Sequence, residues 1–477
     1  MKLLNRYTVL ILLSIGLVSC SDDFLNVVPE QGAEADKAIV DLPSMNAALN
    51  GMYSLLQSQD YYGRTFIVAP ELVSNNGMIS LIHSSRYINI NLNTVVSTDT
   101  YITALWNQLY ALTVNANLLI EKGEALNLPP SNVNSSKQVL GEAYALRALG
   151  YFDLIRIFAQ PYNNTSDASH LGVPLILKSG TSRSDIAKPP RNTVAQVYES
   201  IVNDLKKAIE LLEIQSSASK SHITLYGAKA LLAKVYLYKG EWEQAEELAT
   251  DVITKGNYSM LSNTNLVSGF KIKANSEVIF EIANNAADNE GSNSLAYFYS
   301  QDGYGDMIAS EELYNIYSNA DVRRQFVAKR KRDRVGGEDP AYVISKYTNI
   351  SDYEENIKVL RLAEIYLIRA EARARQTGKE TLAIDDLYEV AHRADVGAFR
   401  SIATGDALIA DILKERRKEL AFEGNQLFDL NRTKTNWTKY RSGDAVTTYT
   451  AQSNRTIFPI PRRELNLNPN IRQNPGY

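Results

Sequence analysis

The sequence predicts a mainly α fold: a scaffold of helical hairpins carrying long irregular insertions and a few short strands. Three observations predict it. Apolar residues recur with a 3.6-residue rhythm in one segment after another along the 477-residue chain. Two pairs of these segments meet at tight glycine-bearing joints, Lys239-Gly240-Glu241 and Gly378. Between the rhythmic segments lie stretches 61–100, 159–190 and 258–304, where the period fails and Asn, Ser, Gly and Pro accumulate. Loops of that length inside a compact protein are more often functional or disordered than idle.

The chain opens with Lys2 and Arg6, runs through mostly apolar residues from Tyr7 to Ser19, and reaches its only cysteine, Cys20, followed by Ser21-Asp22-Asp23. A basic start, a short apolar core and a small residue before the cut predict a secretory signal over residues 1–19. The stretch falls short of the roughly 20 apolar residues that span a bilayer. Leu17-Val18-Ser19-Cys20 resembles a lipobox, so Cys20 is the expected lipid attachment site. The alternative is an ordinary signal peptide with a chance cysteine. A single thiol allows no intramolecular disulfide, which leaves the fold to its core. Residues 20–477 are then expected to form a single domain, with ligand-binding insertions near 61–100 and 258–350.

Each helix has its own signature. Val139 to Ala159 is apolar on most of its surface and predicts a largely buried helix. Thr193 to Leu212, after Pro189-Pro190, carries Val197, Ile201, Leu205, Ile209 and Leu212 on one stripe. Tyr226 to Tyr238 and Trp242 to Thr254 form a hairpin, and Val359 to Gln376 with Leu382 to Arg393 repeats the design. Leu408 to Gly424 follows. Small residues such as Ala228, Ala230, Ala233 and Ala245 let paired helices approach, and with Gly240 and Trp242 they resemble a tetratricopeptide unit. Degenerate pairs are expected near Trp106/Gly141, Val194/Ala228, Leu231/Trp242 and Leu362/Leu382. One strand-like run, Glu277 to Ile282, interrupts the last insertion.

Composition narrows the function. A formal charge of −4, more negative once Lys2 and Arg6 leave, excludes a sustained basic face for nucleic acid. The four histidines, His83, His170, His222 and His392, show no metal-ligand spacing, and no cofactor is expected. HExxH, P-loop, GxSxG and GxGxxG motifs are all missing, so the chain is not read as an enzyme. Paired carboxylates of a glycosidase are recognised only by geometry. Tyrosine is the outlier, 28 against 12 Phe and 3 Trp, and its flat face with one hydroxyl suits half-wet ligand surfaces.

Several blocks, in order, resemble the SusD/RagB family of nutrient-uptake lipoproteins. They are Trp106-Asn107-Gln108-Leu109-Tyr110 with Ala116-Asn117, Glu142 to Ala148 with Tyr151-Phe152-Asp153-Leu154, the hairpin at Ala228, and Leu360-Arg361-Leu362-Ala363-Glu364 with Ala370-Glu371-Ala372. Glu415-Arg416-Arg417-Lys418-Glu419-Leu420-Ala421-Phe422-Glu423-Gly424 and the ending Phe458-Pro459-Ile460-Pro461 through Gln473-Asn474-Pro475-Gly476-Tyr477 complete the set. The resemblance implies a tetratricopeptide-like, lipid-anchored protein at the cell outer membrane. It would capture oligosaccharide or, in some members, peptide, and pass it to a SusC-like TonB-dependent transporter. Rival readings are a helical protein-docking or adhesion lipoprotein and a periplasm-facing hydrolase.

In the family, ligand contacts come from the two insertions, so the expected binding residues are Asn75, Asn76, Arg86, Tyr87, Tyr297, Tyr299 and Tyr304, with Tyr61, Tyr62, Arg64 and His83 nearby. For any one tyrosine, core packing is the competing role. If Tyr297-Phe298-Tyr299 is extended, alternation puts Tyr297 and Tyr299 on one side as a platform. Starch binders of the family carry tryptophans at the site, whereas Trp106, Trp242 and Trp437 all fall outside these insertions. Glu415 to Glu419 has opposite charges three and four apart and reads as structural i,i+4 support. Lys329-Arg330-Lys331-Arg332-Asp333-Arg334 reads as a solvated loop between strands, with an anion-docking surface for an acidic sugar as the alternative.

Overall fold

The computed structural model describes residues 38–180, 188–213, 219–441 and 444–477. The signal segment and Cys20 lie outside the described residues. About the predicted hairpins the helices pack as expected. Thr100–Ala125 lies against Val133–Phe158, which packs on Val194–Leu212; Leu225–Lys239 packs on Trp242–Lys255, and Leu362–Ala374 on Glu380–Ala394. Trp242–Lys255 also meets Leu362–Ala374, so one hairpin stacks on the next. A hairpin hides only one face by itself, and stacking buries the other.

Local chemistry sets the ends. Thr193 caps Val194–Leu212 in a reciprocal box with Gln196. Thr224 caps Leu225–Lys239, and Gly240, at φ +79°, ends that helix in the left-handed region a side chain resists. Ala363, Leu367, Ala370, Ala383, Leu387 and Val390 form a small-residue core between the last hairpin and the helix Gly405–Leu420. The other helices share one large core. Among the described residues no helix is long and apolar enough to cross a membrane.

Three expectations need correcting. The segment 61–100 is not irregular throughout, because Thr65–Val73 is a helix whose nine residues are all buried, despite Pro70. A helix buried on every side has no polar stripe to reveal its period. Next, Val359 to Arg361 do not begin a helix. They end strand β6 (Ile357–Arg361), antiparallel to β2 (Val278–Ile282), with the helix starting at Leu362. A short strand running directly into a helix leaves no break in the apolar pattern.

Finally, the charges of Glu415 to Glu423 pair mainly across the fold rather than along their helix. Glu419 accepts from Arg323 and Arg361 at 2.8 Å each and from Arg393 at 2.9 Å. Glu423 binds Arg361 at 2.7 Å and Lys346 at 2.5 Å, and Arg361 also reaches Glu277 at 2.7 Å. Within the helix, Glu415–Lys418 is an i,i+3 contact at 3.0 Å. The block is structural, as expected, but as a buried lattice joining the helical scaffold to the last insertion.

The insertions build a four-stranded antiparallel sheet, in the order β1 (Gly77–Ile79), β3 (Met307–Ala309), β5 (Ala341–Ile344), β4 (Val327–Arg330). β1 comes from the first insertion and the other three from the last. Two regions distant in sequence thereby become one surface.

Candidate functional site

The site lies where the two insertions meet. Arg64, buried, fastens them together: its Nε donates to the Tyr87 hydroxyl at 2.8 Å and its Nη1 to the Asn293 carbonyl at 2.9 Å. Beyond Asn293 the helix Leu295–Tyr299 starts at Ser294, whose hydroxyl accepts from the Tyr297 N–H at 3.2 Å. The chain then doubles back, with the Tyr304 N–H donating to the Tyr297 carbonyl at 2.8 Å and that of Asp306 to the Phe298 carbonyl at 3.1 Å. A Cβ on Gly303 would stand 2.3 Å from the Tyr297 carbonyl oxygen, so this turn closes only with glycine there.

The turn brings together the Tyr297 and Tyr304 rings, edge to face with centroids 4.8 Å apart. Tyr353 approaches Tyr297 at 6.1 Å. From the first insertion, the Arg86 guanidinium lies 3.8 Å from the Tyr304 ring centre. Arg86 Nη1 donates to the Ser84 hydroxyl at 2.5 Å, and the Ser84 N–H is held by Asp306 at 3.0 Å. Ser85 and Tyr87, on either side of Arg86, and Tyr353 are all left-handed, at φ +66°, +57° and +61°. Non-glycine residues rarely adopt that conformation, and such strain concentrates at functional sites. All four side chains of the cluster are half-buried.

The structure sorts the expected residues. Arg86, Tyr297 and Tyr304 come together at the surface. Tyr299 does not: Leu295–Tyr299 is helical rather than extended, so Tyr297 and Tyr299 do not share a side. Tyr299 is fully buried, edge-on to Phe422 at 6.0 Å, with burial holding its phenol far above the usual range. Tyr87 is buried too, stacked on Tyr101 at 4.1 Å. Asn76 donates to Glu71 at 2.7 Å and accepts from Arg417 at 2.9 Å, while the Asn75 carbonyl accepts from Arg417 and Ser310. Both asparagines are buried parts of the frame. Tyr61, whose hydroxyl meets Asp153, and Tyr62 belong to the core.

Sequence reasoning missed Tyr353, just past the insertion boundary drawn at 350. A signal was present. Asn349 and Asp352 make the Asx-type bonds that shape this loop, the latter accepting from the Glu354 N–H at 2.9 Å. A separate cavity of about 570 Å³ sits on the sheet, lined by Leu81, Ile308, Ile316 and Tyr342 among others. Its lining also carries the carboxylates of Glu311, Glu312 and Glu338. Among the described residues no group of three His, Cys, Asp or Glu is placed to hold a metal.

Two family models match the chain: "SusD family" over residues 340–477, and "Starch-binding associating with outer membrane" over 23–237. The SusD-like protein P2 of Formosa agariphila is 27% identical, with 98% of each chain covered. Of solved structures, a SusD superfamily protein from Bacteroides thetaiotaomicron superposes with a TM-score of 0.84 at 28% identity, over 91% of this chain and all of that one (100%). A Bacteroides vulgatus protein described as a candidate sugar binder gives 0.82 at 30% identity, over 92% and 99%.

Proposed function

Because this chain belongs to the SusD/RagB family, we propose that it is a glycan-binding outer-membrane lipoprotein, anchored through Cys20 and displayed outward. It captures oligosaccharide on the Tyr297–Tyr304–Tyr353 face and hands it, chemically unchanged, to a SusC-like TonB-dependent transporter. One observation carries the reading: two insertions are tied together by Arg64, and at their junction three tyrosine rings and Arg86 converge half-exposed. A pyranose has apolar C–H faces and an equatorial rim of hydroxyls. Tyrosine faces take the first, and the guanidinium N–H groups of Arg86 donate to the second. The family model described as starch-binding and outer-membrane-associating, and the sugar-binder description of a 30% identical structure, favour the same ligand class.

The test is calorimetric titration with a panel of soluble oligosaccharides. At least one glycan binds the wild type. The double variant Tyr297→Ala/Tyr304→Ala loses that binding with an unchanged far-ultraviolet dichroism spectrum. Retained affinity in this variant defeats the site assignment, and reducing-sugar release from the panel defeats the non-enzymatic reading.

A further inference from the structure

Resting on the glycan reading above, we infer that the glycan this site takes is anionic, bearing carboxylate or sulfate groups. One guanidinium lies over the Tyr304 ring and a second is fixed to the turn that carries it. Arg86 covers Tyr304 at 3.8 Å, and Arg334 Nη2 donates to the carbonyl of Gly303, the residue before Tyr304, at 2.8 Å. Arg334 ends the run Lys329 to Arg334, in which five cations accompany the single carboxylate of Asp333. This run leaves β4 and starts the turn toward β5, and its last residue, Arg334, meets the tyrosine turn at Gly303.

Local pairing takes up part of the charge: Arg330 pairs with Asp333 at 2.9 Å, and Arg332 is buried against the Ser80 hydroxyl with the Glu338 carboxylate acting on it. Lys331 is 74% exposed, with its nearest carboxylate, Asp339, 4.0 Å away. Of the carboxylates near the rings, Glu354 pairs with Lys273 at 2.8 Å, whereas Asp306 holds Ser84 and Asp352 its own loop through neutral donors. Asp302, exposed, is the acidic side chain of the turn itself. Cations held close together at a binding face gain from a ligand that carries the opposite charge. A guanidinium also presents a planar fork of donors that matches carboxylate and sulfate oxygens.

The experiment titrates the full mature chain with three probes: a galacturonic acid hexamer, a sulfated galactan oligosaccharide and a neutral galactan hexamer. At least one anionic probe is expected to bind about tenfold tighter than the neutral one. Its affinity should fall severalfold when salt rises from roughly 50 to 500 mM, as screening shortens the reach of the charges. Arg334→Gln lowers anionic affinity several-fold, while Lys255→Gln, on the far helix Trp242–Lys255, leaves it unchanged. Which anionic arm binds identifies carboxylate or sulfate, and either supports the inference. Neutral binding as tight as anionic, still weakened by Tyr304→Ala, overturns the anionic class but leaves the glycan site standing. If no probe binds and the wider panel is also silent, both readings fall.

Discussion

The Arg86 guanidinium rests 3.8 Å from the centre of the Tyr304 ring, and each partner is set by a device of its own insertion. Arg86 is raised between two left-handed residues, Ser85 and Tyr87. Tyr304 is fixed by a turn that bonds back to the Tyr297 carbonyl at 2.8 Å. Neither segment positions the pair alone. Asp306, through Ser84, and Arg64, through Asn293, register one insertion against the other.

Tyr304→Ala should therefore weaken glycan binding by about 1 kcal/mol or more, roughly fivefold upward, through loss of the stacked face. Tyr304→Phe keeps that face and should stay within a factor of about two of wild type if the ring is the recognised feature. Comparable losses in both variants, measured by calorimetry, would make the hydroxyl rather than the ring the recognised feature.

Tyr299 gives the contrasting pair. Its ring is fully buried and its hydroxyl has no hydrogen-bond partner. Tyr299→Phe removes an unsatisfied polar atom, which should be neutral or stabilising by about 1 kcal/mol. Tyr299→Ala opens a core cavity and should cost about 3–5 kcal/mol. Urea unfolding distinguishes this from a binding role, since Tyr299→Phe should leave glycan affinity intact.

Much of this was readable in the residues, and the failures share a cause. Amphipathic helices such as Val194–Leu212 declare themselves through a polar stripe. Thr65–Val73 is buried all round and declares nothing. At the candidate site, composition drew attention to both insertions, but it could not tell the half-buried Tyr297 and Tyr304 from the buried Tyr87 and Tyr299. Between Tyr297 and Tyr299 the division depends on which side of a five-residue helix faces the core, a tertiary fact. Leu295-Ala296-Tyr297-Phe298-Tyr299 is aromatic enough to read as a strand, yet Ser294 caps it as a helix. The ion lattice around Glu419 was hidden for a similar reason, since its partners Arg323, Arg361 and Arg393 are remote in sequence.

Gly303→Ala tests the turn. The added carbon meets the Tyr297 carbonyl oxygen at 2.3 Å, and backbone atoms on both sides cannot yield without moving Tyr304. Binding should fall as far as in Tyr304→Ala, with a stability loss of about 1–3 kcal/mol from strain. Wild-type affinity in Gly303→Ala would mean that Tyr304 need not be held against Tyr297.

Glu419→Gln removes the charge shared by Arg323, Arg361 and Arg393, leaving buried guanidiniums short of a counter-ion. The expected cost is about 3–5 kcal/mol. The guanidiniums of Arg393, Arg361 and Arg323 outweigh burial and hold the Glu419 carboxyl well below its usual range. A depressed acid stabilises the fold above its unfolded value of 4.5 and loses that contribution as pH falls below it. Denaturation midpoints should accordingly drop on acidification in the wild type, and less steeply in Glu419→Gln.

Glu71 acts with the opposite sign. It is completely buried, and burial pushes its carboxyl up from 4.5 to about 7, against the pull of hydrogen bonds from Asn76 and Gly424 and the charge of Lys346. Between those values the folded chain binds a proton that the unfolded chain has released, so stability declines as pH rises from 4.5 to about 7. The full span corresponds to about 3 kcal/mol. Asn76, which bonds Glu71, also bonds Arg417, and Arg417 holds the Asn75 carbonyl beside β1, so the titration reaches the start of the four-stranded sheet. Glu71→Gln should flatten the pH dependence of the urea midpoint over this window, making the variant relatively more stable at pH 8 than at pH 5. An identical slope in variant and wild type would place the titrating group elsewhere.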